Sequence, residues 1–453
     1  MVDLEKDGKG QTSSLGIGGG SVVASSTTLP GENNDVDDAG YANNEHSYDS
    51  GWTAWSQVLA SFFLFFNTWG VVTAFGVFQT YYEHNLLDHL SPSTISWIGS
   101  TQSFLLLFFG TITGSLFDAG YTRQLLMVGW ALIPLGLMMT SIASQYWQIF
   151  LAQAICMGLG FGSVFVPCVA VLPQYFKKRR AIANGLAATG SGIGGLVYPI
   201  VFRQMQKSLG FPWATRVLGF IVFATMSISV SLLKMRFKPA ERRSLVQLSA
   251  FRDPVYSLFC VSQFCGFLGL YNMMVYIQPY AIDEGIMGTD LAFYLLAILN
   301  SASTFGRIIP NYFVDFIGPF NVMIPMAFCS GIIALGWIGV HTTGSIIGIV
   351  ILYGFFSGAF VSVPPVVLIS ITPDLRDFGT RLGMAFVFNS VGTLAGTPIG
   401  GAIIHASGNQ YLGVQLLAGS CLLMSGILLV IASQKKTGIN TLAGLVNLVW
   451  HAR

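Results

Sequence analysis

The sequence predicts an all-α membrane protein: twelve transmembrane helices in two six-helix bundles. Three observations carry that prediction. Of 453 residues, 53% are hydrophobic and only 9% charged, whereas soluble domains carry about 25% charged residues. Such a chain cannot face water all round, which excludes a soluble enzyme. Apolar runs of about 20 residues recur twelve times, each long enough to cross a ~30 Å hydrocarbon layer as a helix. Lysine and arginine, finally, gather on one side of the resulting topology.

Residues 1–50 come first. They are rich in Gly, Ser, Asn and Asp and hold no apolar core of signal-peptide length, so a disordered cytosolic tail is expected. Six runs fill a first bundle over 51–233, spanning residues 55–81, 95–117, 125–143, 149–171, 183–202 and 214–233. A polar cytosolic linker, 234–254, separates them from a second bundle over 255–433. Its runs cover 255–281, 291–313, 322–340, 345–371, 382–405 and 412–433, and a second cytosolic tail, 434–453, follows.

With the first tail inside, only Arg203, Lys207 and Arg216 of the 22 Lys and Arg lie outside, and only Arg307 lies within a span. The asymmetry supports both the span assignment and the orientation. The net charge of +2 is too small a field to hold a phosphate polymer, so no nucleic-acid partner is expected. All six cysteines sit inside apolar stretches and read as small core residues. No metal or other cofactor is expected.

Comparing the halves at an offset of about 200 residues reveals a weak repeat, as in carriers built from related bundles around a central path. Gly114 to Asp118 after the second span matches Asn311 to Asp315 after the eighth. Arg180 and Arg381 open the fifth and eleventh spans, and Gly195 faces Gly396. Gly190-Ser-Gly192-Ile-Gly194-Gly195 has the glycine density of a dinucleotide loop, but no strand precedes it. Its small residues are expected to let helices approach closely.

Two longer motifs carry a family resemblance. Asp49-Ser-Gly51-Trp52-Thr-Ala-Trp55 leads into a first span containing Asn67-Thr-Trp69-Gly70, and Tyr175-Phe-Lys177-Lys-Arg179-Arg180 opens a fifth span continuing to Asn184, Gly190 and Ser191. With the six-plus-six pattern, these resemble the major facilitator superfamily, and within it the fungal members of the monocarboxylate porter family. The resemblance implies alternating-access transport of an organic anion held by Arg307. It also exposes two departures: where animal proton-coupled members carry a lysine in the first span and an aspartate one turn before the arginine, this chain has Val77 and Ser303.

Arg307 is the residue on which the chemistry turns. A guanidinium at membrane depth costs at least ~2.5 kcal/mol unless it meets water or a partner, and every Asp and Glu falls in a tail or loop. Asn300, Ser303, Arg307 and Asn311 recur every three to four residues and share one helical face. That stripe is expected to line the path, with Arg307 gripping a substrate carboxylate through its bidentate fork and the competing role being to snorkel to the inner interface or hold a backbone carbonyl. Asn67, Tyr271, Asn272 and Asn389 are further candidate substrate contacts, because the helices bearing them face the cavity in such folds. Asp118, Arg123, Lys177, Arg179, Arg180, Asp315 and Arg381 are candidate gating residues at the inner ends, the basic ones doubling as orientation signals.

The expected function is secondary transport of an organic monocarboxylate or related weak acid across the cell membrane, with the vacuolar membrane as alternative site. Its partners would be a small organic anion, the lipid bilayer and, as co-substrate, protons, with the chain acting as a monomer. The alternative reading is efflux of an acidic secondary metabolite, ahead of a non-transporting nutrient sensor. A membrane enzyme would need clustered histidines or acids at one membrane face, and the sequence offers none.

Overall fold

A computed structural model of the chain describes residues 51–90, 92–236, 247–374, 377–408 and 410–437. The expected first tail, the middle of the linker (237–246) and the end of the second tail lie outside the described residues. Within them every regular element is helical, and eleven helices are long and apolar enough to cross a membrane.

In order they are α1 (Trp52–Tyr81), α2 (Pro92–Asp118), α3 (Thr122–Thr140), α4 (Tyr146–Tyr175), a long helix Arg180–Leu232, α7 (Pro254–Asp283), α8 (Thr289–Ile317), α9 (Pro319–Gly339), α10 (Thr343–Ile371), α11 (Phe378–Ala406) and α12 (Leu412–Thr437). The long helix has 53 residues, about 80 Å at ~1.5 Å per residue, far more than one crossing needs. It breaks at Gly210, whose φ of 78° belongs to glycine, with Pro212 just beyond. We therefore number its parts α5 (residues 180–209) and α6 (residues 211–232), the two crossings the hydropathy predicts. Most helices run a few residues past the apolar runs, because capping groups sit in the polar flanks. Asp253, for example, accepts the Val255 amide at the start of α7, and Thr342 pairs reciprocally with Ser345 at the start of α10.

The internal repeat is visible in the packing. Along α5, a Cβ on Gly190 would strike the Phe62 carbonyl, and one on Gly194 would meet the Phe66 carbonyl and Gly70 Cα at 2.6 and 2.8 Å. Along α11, Gly392 meets the Phe264 carbonyl and Gly396 that of Leu268. These are the same contacts in the same register, α5 on α1 and α11 on α7. The glycines thus serve close helix approach, as the sequence leads one to expect.

Two seams join the first six helices to the second six: α2 against α11 and α5 against α8. At the end that carries the basic loops, each seam closes on a carboxylate. Asp118, ending α2 and 5% exposed, accepts the Thr380 amide at 3.0 Å and its hydroxyl at 3.1 Å in the first turn of α11. Asp315, near the end of α8, accepts the Ala181 and Ile182 amides at 3.2 and 3.3 Å in the first turn of α5. Each carboxylate meets unpaired amides and the positive end of a helix dipole belonging to the other half. The α5–α8 seam continues to the opposite end, where the Arg203 guanidinium lies 4.2 Å from the centre of the Phe293 ring.

Candidate functional site

Between the two halves lies a cavity of about 30 Å³, lined by Phe65 and Trp69 of α1, Phe165 of α4, Asn184, Ala188 and Ser191 of α5, Arg307 of α8, and Phe386 and Asn389 of α11 among others. That is room for a few waters at most, so an organic substrate needs the halves to separate. The walls are aromatic and the polar groups few, the usual composition of a small-molecule site.

Arg307 is 7% exposed and reaches the cavity from mid-helix. Its Nη1 donates across the seam to the Ala188 carbonyl at 3.0 Å and to the Ser191 hydroxyl. Its Nε has no partner, and no carboxylate pairs with it among the described residues. The guanidinium thus holds a backbone carbonyl and also borders the cavity. Asn389, 2% exposed, lies in the same wall with its Oδ1 unpartnered.

The rest of the α8 stripe is consumed by packing. Asn300 donates to the Gly195 carbonyl at 3.4 Å in the seam with α5, and Ser303 is pressed against Gly358 of α10. Asn311 donates to the Arg307 carbonyl at 2.8 Å and to the Ser362 hydroxyl at 2.6 Å. The glycines of α5 and α10 draw their backbones against α8, leaving short side chains no path to the cavity. Only the long arginine clears that contact. In this conformation Asn300 and Ser303 are therefore held in helix packing.

Two other asparagines are engaged in the same way. Asn67 Oδ1 accepts from the Tyr198 hydroxyl at 2.7 Å and the Thr225 hydroxyl at 2.9 Å, tying α1 to α5 and α6. Asn272 donates to the Leu268 carbonyl at 2.8 Å and abuts Gly400 of α11. Tyr271 faces the interior: its ring stacks on Trp69 across the interface, with centroids 6.1 Å apart and planes at 6°. A second aromatic pair, Phe165 and Phe386, bridges α4 and α11 at 5.0 Å.

Of the candidate gating residues, Asp118 and Asp315 make the seam contacts described above. Arg381 Nη1 donates to the Ile371 carbonyl at 3.3 Å and its Nε to Gln247 at 3.4 Å, while Arg180 Nε donates to the Phe176 carbonyl at 2.7 Å. Arg381 thus ties the start of α11 to the end of α10 and to the linker, and Arg180 holds the turn before α5. Arg123, Lys177 and Arg179 are exposed at the same end. Sequence reasoning passed over Asn184, which donates to the Ser362 carbonyl at 2.7 Å across the cavity rim, and Trp69. Both stood inside motifs noted only for their resemblance.

Residues 58–353 match the family model of the Major Facilitator Superfamily. The chain is 44% identical to an MFS-type transporter, dbaD, of Emericella nidulans, over 85% of this chain and 87% of that one. It is 38% identical to the aspyridones efflux protein apdF of the same organism, over 84% and 77%, and 35% identical to a fujikurins efflux protein of Gibberella fujikuroi, over 86% and 85%. None of these three is named as a monocarboxylate porter. Among solved structures, the Major Facilitator transporter FucP in its outward conformation superposes with a TM-score of 0.62 at 15% identity, covering 84% of this chain and 98% of that one. The human organic anion transporter MFSD10 gives 0.64 at 11%, over 83% and 98%.

Proposed function

This chain belongs to the Major Facilitator Superfamily, and we propose that it is an efflux carrier for an acidic secondary metabolite, working by alternating access. It is a multi-pass membrane transporter and not an enzyme. The observation that carries the anionic substrate is Arg307: a buried guanidinium on the cavity wall whose Nε is unpartnered and which no carboxylate of the described residues neutralises. Direction is argued from the relatives, two of which are named for the efflux of aspyridones and fujikurins. The resemblance of the opening motif and the Tyr175–Ser191 motif to monocarboxylate porters supports reading the acid group as a carboxylate or its equivalent. We place the basic end in the cytosol, the carrier in the cell membrane, and the working unit as a monomer.

The arginine also supplies a coupling device. Its Nη1 bonds run from α8 to α5 and so cross between the halves. An anion that takes the guanidinium fork competes with those bonds, so loading the site loosens one seam contact. Differential binding of this kind is what lets a ligand shift a conformational equilibrium.

The test is untargeted comparison of intracellular and extracellular metabolites in cells expressing the unaltered chain, Arg307→Lys or Arg307→Ala, with a fluorescent tag reporting membrane delivery. Both variants should abolish release of the exported acid while reaching the membrane normally, since a point charge cannot reproduce the paired contact. Undiminished export in both would overturn the reading.

A further inference from the structure

We infer that the exported anion carries a planar conjugated ring system, and that this ring slots between Trp69 and Tyr271 while the acid group meets Arg307; the inference rests on the anion-carrier reading above. The repeat fixes where this pair stands. Phe66 and Leu268 occupy equivalent positions, each receiving a glycine of α5 or α11 on its carbonyl. Three positions further along come Trp69 and Tyr271. They are therefore equivalents of one another, and they touch. In a two-fold arrangement a residue meets its own equivalent only at the axis, so the stack marks the centre of the path, one ring supplied by each half.

The rings are near-parallel and offset, with centroids 6.1 Å apart, so rocking the halves apart leaves two flat faces in near-parallel planes. A flat conjugated molecule satisfies both faces at once, whereas an aliphatic one gains burial without the stacking that aromatic pairs add. Phe65, Phe165 and Phe386 extend the aromatic wall. The polar atoms left unpartnered in that wall are Arg307 Nε and Asn389 Oδ1, both in side chains more than nine-tenths buried. A site with an aromatic slot and one cationic fork specifies a flat acid. With the substrate gone, the same two rings close on each other and seal the axis.

The full chain in lipid nanodiscs is titrated calorimetrically with 2-naphthoate and with decahydro-2-naphthoate, which share the carboxylate and differ in planarity and π-character. The unaltered protein should bind the naphthoate about tenfold more tightly. Trp69→Leu and Tyr271→Leu should erase that preference while still binding the saturated acid, and Trp69→Phe and Tyr271→Phe should restore most of it, which separates a lost ring from a misfolded chain. Arg307→Ala should lose both acids. Equal affinities in the unaltered protein, or a preference that survives both leucine variants, overturns the planar-substrate inference and leaves the anion site standing. Leucine variants that bind neither acid while the phenylalanine variants bind both equally overturn it too. Failure of the unaltered protein to bind either acid, or full binding by Arg307→Ala, overturns the parent reading.

Discussion

Replacing Asp118 with asparagine should loosen the α2–α11 seam by an amount the structure allows one to gauge. The side chain is nearly fully buried and accepts from both the amide and the hydroxyl of Thr380, at the positive end of α11. Asparagine keeps the shape and one carbonyl acceptor but removes the negative charge. Charge at a partly buried helix terminus contributes up to about 2 kcal/mol, and a charge-assisted hydrogen bond is roughly twice as strong as a neutral one. A loss of about 1–2 kcal/mol shifts an opening equilibrium by roughly 5–30-fold. Amide hydrogen exchange reads that shift directly: the Thr380 amide should exchange faster in Asp118→Asn by such a factor, with α12 unchanged. Asp315→Asn makes the internal comparison. That carboxylate caps α5 in the equivalent way but is exposed, so solvent screens it and only a few-fold acceleration is expected at Ala181 and Ile182. Thr380 protection unchanged within twofold, or a larger effect from Asp315 than from Asp118, would refute the claim that burial of the carboxylate holds the seam.

Two further outcomes follow from packing and charge placement. Gly194→Ala pushes a methyl group to 2.6 Å from the Phe66 carbonyl, and Gly396→Ala presses one still closer on the Leu268 carbonyl; each should destabilise the fold by about 1–3 kcal/mol, seen as a lower midpoint in thermal size-exclusion profiles, and a pair of neutral substitutions would contradict the packing repeat. Every described Asp and Glu stands at or beyond a helix end, so no fixed acid at mid-span can relay a proton; collapsing the pH gradient with nigericin should change the export rate by less than about twofold, and a strict one-proton stoichiometry would contradict that expectation.

The long-range plan was legible because it is written in composition and charge. A ~30 Å apolar layer demands runs of about 20 residues and sorts basic loops to one side, whatever the side chains do in detail. The break at Gly210 falls in the gap between the fifth and sixth runs, even though the helix is otherwise continuous there. The repeat was legible only in outline. Its true register appears when Gly190 and Gly392 are seen to press on Phe62 and Phe264, since glycine identity alone does not say which neighbour it admits.

The site was harder, for a reason that α8 makes plain. Periodicity correctly assigned Asn300, Ser303, Arg307 and Asn311 to one face, but a face two helices share offers its short polar groups to packing before it offers any to a cavity. Asn67 and Asn272 are engaged in a similar way: each bonds to a backbone carbonyl one turn before it, which any asparagine in an apolar helix can do without a ligand. What separates Arg307 is reach, together with a donor count that two seam contacts do not exhaust. Trp69 was passed over because an aromatic residue among 35 Phe, 16 Tyr and 9 Trp carries no signal by itself. Its signal is relational. Only by knowing that Phe66 and Leu268 are equivalent does one see that Trp69 stacks on its own counterpart, and it is this self-contact that turns an ordinary ring in a lipid-soluble sequence into a candidate for the centre of the transport path.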